Sequence, residues 1–189
     1  VTAPGAYRDH RYPNCYAGYD QYPETNGDPR EALGTLWFHD HSDETTASNV
    51  YSGMAGLYLL FDELDSGNEN DPNPKALRLP SGEYDVPLLI QDIHFDSGGY
   101  RYFDPFEPNG NLGDRYCVNG KVQPYFKVAR RKYRFRIFNG SVARVYQFCV
   151  ISKGVNQSFL AIANDGNLLP APLSMKTVQL ASAERADII

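Results

Sequence analysis

Residues 34–41 read Gly-Thr-Leu-Trp-Phe-His-Asp-His, a short run of aromatic and β-branched residues that is typical of a strand. Side chains at positions i and i+2 of a strand project from the same face, so we expect His39 and His41 to present two imidazoles to one cavity. Imidazole is a common ligand of copper and zinc, and the pair is therefore a candidate metal site. In the alternative interpretation, one histidine belongs to a hydrogen-bond network and the other is solvated.

The segments on either side of this run differ in character. Residues 1–32 are rich in Tyr, Pro, Gly, Asn and Asp and show no sustained period, which predicts irregular chain along the surface. Residues 43–49 are polar and predict a turn or a helical turn. Val50–Phe61 is apolar with Gly53 and Gly56 embedded, which favours a buried strand that another backbone or a bulky side chain approaches closely.

An irregular segment and a series of short strands are predicted for the rest of the chain. Glu63–Pro80 contains two prolines, a glycine and several Asn and Asp residues, so we identify it as a linker. Asn-Gly and Asp-Gly turn signals separate the strands, and Ala186–Ile189 has the composition of the beginning of another. Many short strands at this spacing predict an all-β sandwich or barrel. The predicted strands are Tyr84–Asp92, Tyr116–Val118, Tyr125–Ala129, Lys132–Asn139, Val145–Ile151, Phe159–Ala163 and Thr177–Leu180.

Lys132–Phe138 alternates charged and apolar side chains. Since successive side chains of a strand point to opposite faces, this pattern predicts one buried face and one face in water. The charged positions Lys132, Arg134 and Arg136 belong to the face that is predicted to be wet.

Composition and charge exclude several classes of partner. Hydrophobic residues make up 42% of the 189 residues and aromatic residues 13%, which is typical of a folded protein. The 18 Lys and Arg against 23 Asp and Glu give a net charge of −5 without a long basic run. Neither nucleic acid nor an anionic membrane is therefore an expected partner. No apolar run approaches the roughly 20 residues that cross a bilayer, so no membrane span is expected.

The cysteines and two glycosylation-like triplets carry less information. Cys15, Cys117 and Cys149 are widely spaced and form no Cys-x-x-Cys pair, which excludes a zinc site of the usual thiolate pattern. One disulfide with a free thiol left over stays open beside the interpretation of all three as structural residues. Asn139-Gly140-Ser141 and Asn156-Gln157-Ser158 match the glycosylation pattern, but we interpret them first as turns.

The flanks of the His-x-His pair resemble a known family. Residues 34–41, followed by Asn49-Val-Tyr-Ser-Gly-Met-Ala-Gly-Leu-Tyr58, closely resemble the second copper-binding motif of multicopper oxidases. The similarity is strongest to the branch of the spore-coat laccase, bilirubin oxidase and phenoxazinone synthase. It extends from about Leu33 to the last residue. Four later stretches resemble the second domain of that branch in the expected order: Leu79–Leu88, Val118–Val122, Arg131–Arg136 and Leu180–Asp187.

The resemblance implies a fold and a domain organisation. The fold is a cupredoxin-like Greek-key β-sandwich, with the end of one domain followed by most of a second. Residues 1–62 are then the C-terminal part of a first cupredoxin domain, which carries the His-x-His motif. Residues 63–80 are a linker, and residues 81–189 are a second cupredoxin-like domain that is incomplete at its C-terminus.

The resemblance also implies a cofactor and an activity. In the family, a trinuclear copper cluster lies between the first and last of three cupredoxin domains, and each histidine of this motif holds one copper of the type 3 pair. His39 and His41 are the matching positions. The family couples one-electron oxidation of a donor, such as a phenol, a tetrapyrrole or a metal ion, to reduction of dioxygen to water. An extracellular, periplasmic or cell-surface location is the expectation that follows.

This sequence also departs from the family pattern. The family uses ten histidines and one cysteine for its four coppers, whereas this chain has four histidines and no His-Cys-His motif. We therefore expect the remaining ligands to come from segments beyond this chain or from another subunit, and the chain alone to be inactive. Residues 42–48 differ from the Met- and Leu-containing stretch common in relatives. A non-catalytic cupredoxin-like binding or structural module with at most weak copper binding is the alternative.

Several residues near these motifs receive structural interpretations. Trp37 is expected to anchor the core, and Asp40 to hydrogen-bond locally. His10 is expected to be solvated, and His94 to lie away from the copper cluster. Glu184-Arg185 is expected to form an ion pair or to hydrogen-bond with nearby backbone.

Overall fold

The computed structural model of the protein describes residues 3–189; Val1 and Thr2, part of the predicted irregular segment, lie outside the described residues. The chain divides into two compact units, one that ends at Ala32 and one formed by Leu33–Ile189. Within residues 3–189, no helix is both long enough and apolar enough to cross a membrane.

The described residues form twelve strands, one α-helix and two 3-10 turns. The strands are β1 (Thr35–His39), β2 (Ala55–Leu59), β3 (Asp85–Ile93), β4 (Arg115–Val118), β5 (Lys121–Val122), β6 (Arg134–Asn139), β7 (Tyr146–Ser152), β8 (Val155–Gln157), β9 (Phe159–Asn164), β10 (Asn167–Met175), β11 (Thr177–Leu180) and β12 (Arg185–Ile188). The helix is α1 (Thr46–Tyr51), and the 3-10 turns are Pro29–Glu31 and Gly82–Tyr84.

The smaller unit contains little regular structure. Its described residues form turns and extended chain, apart from the 3-10 turn at Pro29–Glu31. Asp28 caps that turn by accepting a hydrogen bond from the backbone N–H of Arg30 at 3.0 Å. The prediction of irregular chain is confirmed for this segment.

Two sheets enclose the core of the larger unit. The first has seven strands in the order β10-β9-β12-β6-β3-β4-β5, and the second has three in the order β11-β7-β8. The central strands β3 and β6 pair in parallel, with Asp85 opposite Arg134. Ile90 and Ile137 from the first sheet meet Leu180 from the second in the buried core. The predicted all-β sandwich is confirmed.

Most of the predicted strands are present, but one is wrong. β3, β4, β6, β7, β9 and β11 match predicted strands, and β12 confirms the strand expected near the end of the chain. Tyr125–Ala129 forms no strand. The Phe126 ring packs edge-on against the rings of Tyr133 and Phe135, so the aromatic character of this segment reflects a ring cluster rather than a sheet. β10 was not predicted because Pro170 and Pro172 argue against a strand, and it lies at a sheet edge, where proline is tolerated.

Two hairpin turns have the backbone geometry that their sequences predict. Asn119 and Gly120 join β4 to β5 with φ values of 49° and 78°. Asp165 and Gly166 join β9 to β10 with φ values of 42° and 100°. Positive φ at both central residues is the requirement that favours Asn-Gly and Asp-Gly in two-residue hairpins.

The β1–β2 hairpin carries the His-x-His motif. The two strands pair in antiparallel fashion from Thr35 opposite Leu59 to His39 opposite Ala55. The ring of Phe38 lies over Gly56, where an added Cβ would come within 2.7 Å of the ring. This close approach explains the glycine and confirms the expectation that a bulky side chain lies near this strand, but the strand is only half-buried, so the prediction of a buried strand is wrong.

Helix α1 occupies the connection between β1 and β2. The helical turn predicted for residues 43–49 is confirmed, but the helix continues to Tyr51, so the strand predicted from Val50 begins only at Ala55. Gly53 ends the helix with φ at 104°. The N–H of Gly53 donates to Val50 O at 2.9 Å and that of Met54 to Asn49 O at 3.0 Å, the two bonds of a Schellman motif.

The alternating segment of β6 is buried on both faces, so the prediction of a wet face is wrong. Phe135 and Ile137 face the sandwich core, whereas Arg134 and Arg136 belong to the opposite face, which β1 and the segment around Asp65 cover. Arg134 is 1% exposed and Arg136 is fully buried. Alternation identifies two faces of a strand but does not show what covers each of them.

Three carboxylates pair with these two buried arginines. Arg134 donates to Asp65 at 2.6 Å and to Asp187 at 2.6 Å. Arg136 forms a bidentate pair with Asp85, with both N–O distances at 2.7 Å. We call Arg134, Arg136, Asp65, Asp85 and Asp187 the buried ionic cluster.

Thr35 connects the hairpin to this cluster. Its hydroxyl accepts a hydrogen bond from Arg136 Nη1 at 2.8 Å and donates to Asp187 at 2.9 Å. Thr35 is 1% exposed, so these bonds are made away from water. The first residue of β1 is therefore fixed against β6 and β12.

The segment between β2 and β3 has the irregular backbone that its prolines and Asn residues predict. No helix or strand lies in residues 63–80. Asp65 and Ala76 are nevertheless only 5% exposed, so parts of this segment pack against the sheets. The division into domains at residues 62 and 81 stays a prediction.

Replacing Arg136 by Met should destabilise the fold strongly, because Asp85 would be left buried without its partner. We expect the free energy of unfolding of Arg136→Met to fall by about 3–5 kcal/mol in urea denaturation. Lys132→Met, at an exposed position just before the same strand, is the control and should change it by less than about 0.5 kcal/mol. Equal stability of the two variants would contradict the role of the buried ionic cluster.

Candidate metal centre

The structure brings the two predicted histidines together at the end of the hairpin. Their ring centroids are 5.5 Å apart and the ring planes are tilted by 30°. The strand was expected to include His41 but ends at His39, although the Asp40 N–H still donates to Met54 O at 3.0 Å. His39 is half-buried and His41 is exposed.

Trp37 holds the ring of His39 against the core. The two rings stack with centroids 4.5 Å apart and planes 23° apart. Trp37 also packs against Phe138 of β6 with centroids 4.8 Å apart, and Phe138 is fully buried. The expectation that Trp37 anchors the core is confirmed.

A hydrogen bond determines which nitrogen of His39 is free. Nδ1 lies 2.6 Å from the backbone carbonyl oxygen of Asp40. A carbonyl oxygen only accepts, so in this contact Nδ1 carries the proton and donates. The Nε2 atom then has a free lone pair, which is the form of imidazole that binds a metal.

The Asp40 carboxylate is held by local hydrogen bonds, as predicted. It accepts from Asn49 Nδ2 at 2.9 Å, from the Ser42 backbone N–H at 3.1 Å and from Ser42 Oγ at 2.8 Å. The bonds from Asn49 and Ser42 lower the pKa of Asp40 below its ordinary value. These hydrogen bonds to Asp40, the residue between the two histidines, thus stabilise the turn that contains both of them.

Helix α1 is fixed to the seven-stranded sheet and the loop beyond it. Gln91 Nε2 donates to Val50 O at 3.0 Å, and Arg101 Nη1 donates to Tyr51 O at 3.2 Å. The backbone N–H of His94 donates to the Tyr51 hydroxyl at 2.6 Å. Sequence reasoning did not identify these contacts, since their partners lie more than 40 residues apart and no local pattern marks them.

The two histidines fit part of a copper site. Two imidazoles on neighbouring positions suit copper, and the free Nε2 of His39 is the required donor. Among the described residues, no group of three or more His, Cys, Asp or Glu side chains is placed to hold a metal ion. The chain therefore offers a pair of donors rather than a complete coordination shell.

The other histidines have different surroundings. His10 is exposed, as expected for a solvated residue. His94 Nδ1 lies 3.4 Å from Asp114, and its ring meets Tyr102 edge-on. Among the described residues of the larger unit, the His94 ring is not in stacking contact with the His39–His41 pair.

The cysteines and the Glu184-Arg185 pair lie outside the histidine site. All three cysteines are free thiols; Cys117 is buried, which raises its pKa, and Cys149 is exposed. Glu184 accepts from the Ala181 backbone N–H at 2.6 Å. Arg185 pairs with Asp165 at 3.1 Å and donates to nearby carbonyls, so the structural interpretation of this dipeptide is confirmed.

Curated relatives of this chain carry three kinds of name. A laccase from Bacillus subtilis (strain 168) is 40% identical over 174 residues, which cover 85% of this chain and 32% of the laccase. A bilirubin oxidase from Albifimbria verrucaria is 32% identical over 194 residues, which cover 100% of this chain and 30% of that protein. A cell division protein FtsP from Edwardsiella tarda is 39% identical over 160 residues, or 85% of this chain and 32% of that protein. The chain thus spans about a third of the length of these relatives.

Solved structures of multicopper oxidases also align with this chain. The McoA multicopper oxidase from Aquifex aeolicus aligns with a TM-score of 0.73 and 38% sequence identity. The alignment covers 83% of this chain and 33% of that one. No family model matches the chain.

Replacing Tyr51 by Phe should loosen α1 from the loop that follows β3. The change removes the acceptor of the His94 N–H, so we expect the free energy of unfolding to fall by about 1–3 kcal/mol. Tyr100→Phe, on a ring that is 75% exposed, serves as the control in the same urea titration. A Tyr51→Phe variant as stable as the control would mean that this hydrogen bond does not hold the helix.

Proposed function

This chain belongs to the multicopper oxidase family and has its cupredoxin-like β-sandwich fold, and on that premise we propose that His39 and His41 are copper ligands. In the longer protein, each would hold one copper of the type 3 pair in a trinuclear cluster. That protein would couple one-electron oxidation of a donor to the reduction of dioxygen to water.

The arrangement of the two imidazoles carries this proposal. Their rings lie 5.5 Å apart at the end of a hairpin, and Asp40 O occupies Nδ1 of His39. A backbone or carboxylate partner on the far nitrogen of a ligating histidine fixes its tautomer and raises its basicity. Trp37 stacks on the same ring and limits its rotation. The chain thus holds His39 in a metal-binding form.

The remaining ligands would come from outside this chain. Four histidines are too few for the cluster and the electron-accepting type 1 site together, and no cysteine has a neighbouring histidine in a His-Cys-His motif. The chain spans about a third of its relatives' length, which leaves room for the other ligands in the flanking segments. Alternatively, another subunit would supply the missing copper ligands.

Copper bound there would supply Lewis acidity and the one-electron steps that dioxygen reduction needs. The residues of this chain would position two ligands and shield one of them from water. A phenol, a tetrapyrrole or a metal ion would serve as the donor, and it would be selected where the type 1 copper lies, outside these residues. We place the protein in the extracellular space, the periplasm or the cell surface, as its family suggests.

A non-catalytic module is the second candidate function. The observation that favours it is the FtsP relative, whose name describes a cell division protein rather than an oxidase. In such a protein the sandwich would serve as a binding or structural unit with at most weak copper binding. The flanking reading frame separates the two functions, since an oxidase needs a His-Cys-His motif there and the module does not.

Alanine substitution of either histidine should lower the copper content of the natural protein that carries this chain. We expect fewer copper ions per molecule in His39→Ala and His41→Ala when metal is measured by mass spectrometry. His94→Ala removes an imidazole that pairs with Asp114 instead, so it should leave the copper content unchanged. Full copper loading of both hairpin variants would refute the proposed ligands.

The 189-residue chain alone should not act as an oxidase. Because two histidines cannot complete the cluster, we expect no sustained oxygen consumption when copper and a phenol are added to it. The mass of the purified assembly serves as the control, since it reveals whether other subunits supply ligands. Steady turnover by a monomer of this chain would overturn the expectation.

A further inference from the structure

We propose that Asn49 is a positioning residue for the His39–His41 pair, an inference that rests on the proposed function of that pair in copper binding. Its amide donates to the Asp40 carboxylate at 2.9 Å, and Asp40 is the residue between the two histidines. Asn49 itself belongs to α1, nine positions further along the chain, and its side-chain amide donates to Asp40 and Thr45 rather than to an imidazole ring.

Asp40 is fixed at every polar group it has. Its backbone N–H donates to Met54 O at 3.0 Å, which continues the ladder of the hairpin. Its carbonyl oxygen accepts from His39 Nδ1 at 2.6 Å. Its carboxylate accepts from the Ser42 hydroxyl at Oδ1 and from both the Ser42 N–H and the Asn49 amide at Oδ2. The orientation of the peptide that selects the tautomer of His39 therefore depends on what holds the Asp40 side chain.

The two groups that hold the carboxylate differ in where they are anchored. Ser42 lies in the exposed turn, and its carbonyl oxygen accepts from Thr46 Oγ1 in the first turn of α1 at 2.6 Å. Asn49 lies in the last turn of α1, where its carbonyl oxygen accepts the Met54 N–H of the Schellman motif. The next two residues, Val50 and Tyr51, are bonded to the sheet and the loop beyond it by Gln91, His94 and Arg101.

These contacts form a continuous connection from the seven-stranded sheet to the histidines. The sheet fixes the end of α1, α1 fixes the Asn49 amide, and the amide fixes the turn at Asp40. Without the amide, the Asp40 carboxylate keeps only its bonds from Ser42, so the Asp40 peptide is held less firmly and the Nδ1–H form of His39 loses part of its preference over the Nε2–H form. Only the first form leaves Nε2 available to a metal.

The test compares Asn49→Ala and Asn49→Asp with Ser48→Ala in the natural protein. Asn49→Asp keeps the shape but replaces the donor with a carboxylate that faces Asp40. Ser48 is in the same helix and its hydroxyl bonds Thr45 O, so its removal is the matched control. Cu(II) affinity is measured by competition with a chelator. The tautomer of His39 is read from the ¹⁵N shifts of its ring in the metal-free protein, at a pH where the imidazole is neutral.

We expect both Asn49 variants to bind Cu(II) about 10- to 100-fold more weakly than the parent, the usual effect of losing a group that orients a ligand. The His39 ring should show a larger fraction of the Nε2–H form, while Ser48→Ala matches the parent. Thermal unfolding of the metal-free variants separates this effect from a loss of folding.

Two results would overturn the proposal. One is an unchanged Cu(II) affinity in both Asn49 variants; the other is a weaker affinity with an unchanged tautomer ratio, since Asn49 would then act only through stability. If His39→Ala and His41→Ala also retain copper, the proposed function has failed as well. If those variants lose copper and the Asn49 variants do not, only the positioning role has failed.

Discussion

Two arginines and three aspartates meet in the buried interior, on the face of the seven-stranded sheet that the hairpin covers. Removing a charged group from water costs several kcal/mol, and only close pairing with hydrogen bonds offsets that cost. Asp65, Asp85 and Asp187 come from three separate segments, and Thr35 adds a fourth. The cost is offset only when all four segments are in place, so the position of the hairpin on the sheet depends on this cluster.

The hairpin transmits that position to the two histidines. Every second residue of β1 lies on the face that is turned to the sheet. On this face, Thr35 bonds the ionic cluster and Trp37 packs on Phe138. His39, the last of the three, stacks on Trp37. Beyond the strand, α1 returns to the same sheet through Val50 and Tyr51. The pair is therefore held from both sides of the turn, by the strand that precedes it and by the helix that follows.

Local sequence predicted the features that depend on neighbouring residues. Spacing alone placed His39 beside His41, and the Asn119-Gly120 turn followed from the need for positive φ. The burial of Arg134 and Arg136 was mispredicted because alternation describes a strand equally well when a hairpin covers its second face. The anchoring of α1 was missed for a related reason: Gln91 donates to Val50 across 41 positions, and neither residue type indicates such a contact.

Burying an ionic cluster requires desolvation of its charges, which leaves little net stabilisation. We infer that the main effect of this cluster is to fix the register of the hairpin on the sheet. Apolar residues of similar volume often stabilise a core as well as buried ion pairs do, but they tolerate more than one alignment. The Arg136 guanidinium bonds Asp85 and Thr35 at the same time, which is possible in only one alignment of the hairpin. A slip of one residue in β1 would turn His39 to the opposite face of the hairpin. His39 lies four residues, or about 13 Å, beyond Thr35 on the same strand, so we infer that the charges fix the side on which the two imidazoles meet.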